Sequence, residues 1–174
     1  ECAAGLIKSI DLSEVRNAPG VIDVITVTDV PGKRDIGPVF AGDPVLADEE
    51  IKFFGQPVFA VLAESVTLAR RAAAKAKITV TETTPHLSVA SALSAESFVR
   101  PTHTMAQSPL GDLPSPAHTL SGALDIGGQE HMYLEGQVSL ALPDEEDRML
   151  IYTSSQHPSE VQKLVAEVLD TTLN

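Results

Sequence analysis

A single cysteine, Cys2, stands in a chain of 174 residues. That scarcity excludes an internal disulfide framework and any all-cysteine metal or cluster site. Basic residues are also few: 12 Lys and Arg face 24 Asp and Glu, for a formal charge of −12. A field of that sign argues against nucleic acid or an anionic membrane as the partner. Long apolar runs are missing. The longest, Val58 to Ala63, is far too short to span a bilayer. No basic-then-apolar signal-peptide layout opens the chain, so a cytoplasmic location is expected, with no membrane association. What is present suffices for a core: 43% of residues are hydrophobic and 21% charged, which excludes general disorder. The length suits one ordinary domain or two small ones. The chain starts at ECAAGLIKSI without methionine and stops at DTTLN just after a helical pattern, as a processed native chain can, or, at least as readily, a piece of a longer protein.

The first hundred residues read as mixed helix and strand. LIKSIDL, with Ile7, Ile10 and Leu12, alternates as a strand, and a short helical turn follows at Ser13 to Asn17 with Ser13 as N-cap. Ala18-Pro19-Gly20 stops that turn, and VIDVITV is a second strand rich in β-branched residues. The prolines and glycines between Asp29 and Asp48 predict a long ordered loop. IKFF and VFAVLA then read as two strands around the tight turn Gly55-Gln56-Pro57. Ser65 to Ala76 is a helix with Val66, Ala69, Ala72, Ala73 and Ala76 as its apolar stripe, and KITVTET is another strand. Ser97 to Ala117 holds four prolines and no period, the mark of a connector. Beyond it HTLSGALDI, QVSLALP and RMLIYTS read as strands, the last two joined by the acidic turn Asp144 to Asp147. A helix closes the chain from Pro158 to Asp170, with Val161, Leu164, Val165, Val168 and Leu169 on one face.

Few residues stand out as carriers of chemistry. His131 and Glu135 are four apart, but two glycines before them and a strand pattern after them argue against a helical metal pair. Asp144 to Asp147 lacks the twelve-residue pattern of a calcium loop and reads as a solvated hairpin tip. Ser154, Ser155 and His157 have no nucleophile elbow around them, so Ser155 reads as a helix cap. Cys2 has no nominated base. Gly127 and Gly128 before Gln129, Glu130 and His131 mark a backbone that turns sharply or approaches something closely.

GGQEHMYLEGQ, which contains that knot, resembles the GGQEHFYLE segment of the molybdenum-binding subunit of bacterial xanthine dehydrogenases. APGVIDVITVTDVPG, GPVFAGDPVLADEEIKFFGQPVFAVLAES, LARRAAAKAKITV and SSQHPSEVQKLVAEVLD resemble the same subunit in the same order, covering nearly the whole chain. The resemblance implies an α+β fold: an α/β hammerhead domain over 1–96 with an incomplete N-terminal edge, a linker over 97–117, and the first part of the molybdenum-cofactor-binding domain over 118–174. It also implies one site residue. Gln129 matches the family's glutamine whose amide lies beside the molybdenum centre as a hydrogen-bond donor, not a metal ligand. A neutral amide suits that place because it donates without adding charge. Gly127 and Gly128 would let the backbone carry it close. Met132 stands where many members have phenylalanine, and CAAG departs from the family's RAHA-like string. Glu130 and Glu135 match other positions than the family's catalytic glutamate, so no catalytic residue is expected within these 174 residues and the piece alone is expected to be inactive.

The activity so implied is that of a xanthine dehydrogenase, hydroxylating a purine (hypoxanthine or xanthine to urate) at a molybdenum–pterin cofactor. Electrons would pass through iron–sulfur clusters and FAD to NAD. The implied partners are the purine, an iron–sulfur/FAD subunit and the rest of its own subunit, in a hetero-oligomer. Two other readings stay open: a relative oxidising aldehydes or carbon monoxide, and a binding or assembly module without redox activity.

Overall fold

The computed structural model describes residues 2–103 and 116–173. Seven strands and four α-helices follow in the order β1 (Gly5–Asp11), α1 (Ser13–Arg16), β2 (Val21–Thr26), β3 (Glu50–Ile51), β4 (Phe59–Ala63), α2 (Val66–Ala73), β5 (Lys77–Glu82), α3 (Val89–Ser94), β6 (Ser139–Pro143), β7 (Met149–Thr153) and α4 (Pro158–Leu169). Every strand pairing among the described residues is antiparallel, with helices beside the sheets, as in an α+β fold. The described residues of Glu1–Pro85 and Ser139–Asn174 form one compact unit, and those of His86–Val138 a second.

In the first unit three antiparallel sheets carry the backbone hydrogen bonds, in the orders β3-β1-β5, β2-β4 and β6-β7. The core lies where α1 and α2 cover β2 and β4. Leu12, Val15, Ala18, Val24 and Ala72 are buried there, with Ile10, Val21, Phe59, Val61 and Ala76 packed around them. Strict alternation would place Ile22 beside Val24 on the inner face. The ladder shifts register between Val21 and Asp23, so Ile22 is 64% exposed while Val24 is 1% exposed. A β-bulge thus brings Val21 and Val24, three apart, to the same face.

Several expectations are corrected. The cap of α1 is Leu12, because Ser13 is already helical and its N–H donates to Asp11 Oδ1 at 2.9 Å. IKFF and VFAVLA do not pair with each other: β3 runs beside β1 and β4 beside β2. The turn between them ties Gln56 N–H to the Phe53 carbonyl at 3.3 Å, while Gln56 Oε1 accepts from Lys52 N–H at 2.7 Å. Gly55 takes φ 87° there, a conformation glycine adopts without a side-chain penalty. Helix α2 is capped by Ser65, whose Oγ accepts from Leu68 N–H. Val66 is exposed rather than part of its buried stripe; Leu68 turns inward instead, half-buried and facing Gly20.

The loop from Asp29 to Asp48 is irregular yet ordered. Ile36 N–H donates to Asp43 O at 2.9 Å and Val45 N–H to Arg34 O at 2.8 Å. Inside this clasp the Asp35 carboxylate accepts from Gly37 N–H at 2.9 Å and Gly42 N–H at 2.7 Å. These two bonds hold the Asp35 carboxyl below its ordinary range.

The acidic tip joins β6 and β7 as expected, with Asp144 N–H donating to Arg148 O at 2.9 Å. Helix α4 starts at Pro158, but its cap is His157 rather than Ser155. His157 Nδ1 accepts from Glu160 N–H at 3.1 Å, and Ser155 Oγ accepts from His157 N–H at 3.0 Å, one step earlier. Ala166 is the buried centre of α4, Val161, Leu164, Val165 and Val168 are half-buried, and Leu169 is exposed. Its last turn meets the turn after β2, where Gly32 N–H donates to Val168 O at 3.0 Å and Lys33 N–H to Glu167 O at 2.8 Å.

In the second unit the segment before the connector forms α3, capped by Ser88 Oγ accepting from Ser91 N–H. The expected strand HTLSGALDI is not one: residues 118–126 pair with no described strand and lie exposed. Alternating apolar residues need a partner strand and a buried face to become a strand, and here neither is present among the described residues. Most of the connector, 104–115, lies outside the described residues. Among the described residues no helix is long and apolar enough to cross a membrane.

Candidate functional site

The segment nominated for chemistry, Gly127 to Gly136, has no regular secondary structure and is exposed throughout. Gly127 and Gly128 do not turn through a left-handed conformation; a Cβ added to either would meet nothing within 4 Å. The turn comes later, at Met132, whose φ is 50°. A close approach of chain to chain is therefore not what these glycines serve among the described residues. What they leave is an open backbone face next to Gln129.

Gln129 is exposed, and its amide makes no hydrogen bond to another described residue. Both N–H donors and the carbonyl oxygen remain unspent. That is the chemistry a donor to an incoming electronegative atom requires. The donor chemistry suits a molybdenum–pterin group: an uncharged amide on a backbone with no side chain at the two preceding positions.

The other candidates separate. His131 and Glu135 lie on irregular backbone, so their spacing does not put them on one helical face, and no group of three or more His, Cys, Asp or Glu gathers as a metal site among the described residues. Glu145 and Glu146 are exposed at the hairpin tip, and Arg148 pairs with Asp144 at 3.7 Å across it. His157 uses its Nδ1 as a helix cap. Cys2 Sγ donates to Ala4 O at 3.0 Å and faces no base.

Shifted ionisations fall elsewhere. Glu14 is lowered and Lys77 raised, each chiefly by the hydrogen bond between them on the surface. Asp29 is lowered because Thr26 donates to its Oδ2 from both hydroxyl and N–H, each at 2.7 Å. These groups hold the fold of the first unit. They belong to the first unit and Gln129 to the second.

The arrangement defines a class: an α+β chain that opens with a hammerhead domain and continues into the start of a cofactor-binding domain. Residues 1–84 match the family model described as "Aldehyde oxidase and xanthine dehydrogenase, a/b hammerhead domain", and residues 111–174 match "Molybdopterin cofactor-binding domain". The chain belongs to the xanthine dehydrogenase/aldehyde oxidase family. It is 37% identical over 169 residues to aldehyde oxidase 2 of Macaca fascicularis, covering 95% of this chain and 12% of that protein. It is 33% identical over 167 residues to xanthine dehydrogenase of Dictyostelium discoideum, covering 94% of this chain and 12% of that one. Among solved structures, the aldehyde oxidoreductase from Desulfovibrio gigas superposes with a TM-score of 0.77 at 28% identity, over 99% of this chain and 21% of that one. Quinoline 2-oxidoreductase from Pseudomonas putida 86 shares the fold, with a TM-score of 0.80 at 24% identity, over 99% and 24% of the two chains.

Proposed function

We propose that this chain is part of the molybdenum-binding subunit of a molybdenum hydroxylase, a xanthine dehydrogenase that converts hypoxanthine and xanthine to urate. The observation that carries this reading is Gln129, exposed with its amide unspent inside the segment that matches the molybdopterin cofactor-binding domain. When bound, the molybdenum–pterin group supplies two-electron oxidation, and water supplies the oxygen that enters the purine. This chain's contribution is to bind and orient. Gln129 donates from its amide N–H groups to an electronegative atom of the cofactor, and Gly127 and Gly128 leave room for the cofactor's bulk. Iron–sulfur clusters and FAD on a partner subunit or domain of a hetero-oligomer would supply the electron path, with NAD as the acceptor. The hammerhead part is taken as 1–96, the connector as 97–117 and the cofactor-binding part as 118–174.

A second reading has its own support. Aldehyde oxidases are among the relatives, at 34–38% identity, alongside xanthine dehydrogenases at 33% and 34%. In that reading the same site oxidises an aldehyde to a carboxylic acid.

The test is made on the full-length protein with an artificial electron acceptor, offering xanthine and an aromatic aldehyde in parallel. Turnover of xanthine supports the purine reading; turnover of the aldehyde alone replaces it with the second. Gln129→Ala should lower turnover by about 10–100-fold, the usual cost of losing a hydrogen bond to a metal group's surroundings. Its melting temperature should change little, because one hydrogen bond contributes only about 0.5–1.5 kcal/mol net. Wild-type turnover by a molybdenum-replete Gln129→Ala enzyme removes the residue from the site.

A further inference from the structure

Helix α4 is poorly finished on its own. The last carbonyls of a helix have no partners within it. Glycine is the usual residue to end a helix in the left-handed conformation, yet here Asp170 does so at φ 53°. No basic residue lies in the last turn, while Glu167 and Asp170 add negative charge where the helix dipole is already negative. Asp170 and Thr171 N–H groups both turn back to a single carbonyl, that of Ala166.

The missing parts come from about 135 residues away in the sequence. Gly32 N–H donates to Val168 O at 3.0 Å, and Lys33 N–H to Glu167 O at 2.8 Å. Lys33 Nζ lies 2.9 Å from Glu167 Oε1, placing a positive charge at the helix end that has none of its own. The fit is close. A Cβ at Gly32 would sit 2.1 Å from Glu167 O, 2.8 Å from Asp170 N and 3.0 Å from Val168 O. All three are backbone atoms, so no side-chain rotation could relieve them.

We infer that the Pro31–Lys33 turn is the C-terminal cap of α4, a latch that joins the hammerhead segment to the cofactor-binding segment and makes the two open together. The turn lies within the hammerhead match, 1–84, and α4 within the cofactor-binding match, 111–174. Both belong to one compact unit. The latch therefore crosses the boundary between two family domains and is independent of which substrate the protein takes.

Hydrogen exchange on the full-length protein tests it, read by mass spectrometry on peptides covering 27–36 and 158–173. In the wild type both peptides should be protected and open at matching rates. Gly32→Ala should accelerate exchange in both by at least about tenfold, the loss of two backbone hydrogen bonds. Lys33→Met keeps the backbone bonds and should change exchange less than about threefold, since an ion pair this exposed contributes little. Acceleration confined to 27–36, or none in either peptide, overturns the latch. Should Gly32→Ala fail to fold, the wild-type measurement decides: protected Gly32 and Lys33 amides opening in step with α4 support it, and unprotected ones refute it.

Discussion

The bulge in β2 makes a quantitative claim about two neighbouring apolar residues. Val24→Ala removes two carbons from a side chain that is 1% exposed. Transfer alone costs about 1.6 kcal/mol at ~0.8 kcal/mol per carbon. The surrounding Leu12, Val15, Ala18 and Ala72 are themselves buried and cannot all close the gap. The residual cavity raises the total to about 2–3 kcal/mol. Ile22→Ala removes three carbons, but Ile22 is 64% exposed, so the same arithmetic gives about 1 kcal/mol or less. The smaller deletion should therefore do the greater damage. Exchange of the β2 and β4 amides in the full-length protein reads this locally, without assuming two-state unfolding of a large enzyme. Val24→Ala should speed it by about 30- to 150-fold and Ile22→Ala by at most about fivefold, at a factor of ten per ~1.4 kcal/mol. Equal effects, or a greater one for Ile22→Ala, would place Ile22 in the core and remove the bulge.

Two further outcomes follow from the first unit, beside those given for Gln129 and Gly32. Asp35 is depressed by Gly37 and Gly42 N–H groups, so its contribution is fully present above the ordinary aspartate value and is lost as pH falls through the depressed folded one. Exchange protection over 36–44 should hold at pH 5, decline in strong acid, and be reduced at pH 5 in Asp35→Asn, with the two proteins converging in strong acid; equal protection at pH 5 in that variant refutes the clasp. Gly20→Ala must hold a Cβ at φ 75°, 2.5 Å from Leu68 Cδ1, and should loosen α2 by about 1–2 kcal/mol from the backbone conformation alone. Unchanged exchange across 65–76 would show that this turn tolerates a side chain.

Elements whose signal is local were legible: β2, β5, α2, α4 and the β6–β7 hairpin all follow from periodicity and turn residues. Partners distant in sequence were not. Nothing in Glu50-Ile51 says that it joins β1 rather than β4, because that choice is made by the clasped loop before it and the Phe53–Gln56 turn after it. Ile22 illustrates another limit, since one inserted residue reverses the face of everything before it. His157 took the cap from Ser155 because an imidazole nitrogen can accept an N–H as a hydroxyl does, which residue statistics understate. Gln129 is nominated only through family resemblance. An exposed, irregular segment has no burial period to betray it.

The β6–β7 ribbon bears on the colloidal behaviour of these 174 residues. It is two strands wide, with Leu140, Leu142, Met149, Leu150 and Tyr152 each 42–58% exposed and the outer edges of both strands unpaired among the described residues. Such a surface is adhesive toward its own kind. The force opposing adhesion is the charge of −12, which keeps approaching molecules apart beyond contact distance. That barrier shrinks as pH approaches the isoelectric point near 4.7, and salt shortens its reach to about 8 Å at physiological ionic strength. Turbidity should therefore rise on acidification toward that point and on adding salt, and clear on returning to neutral pH at low ionic strength. The ribbon's stickiness and the chain's surplus of carboxylates together define a solubility window on the alkaline, dilute-salt side.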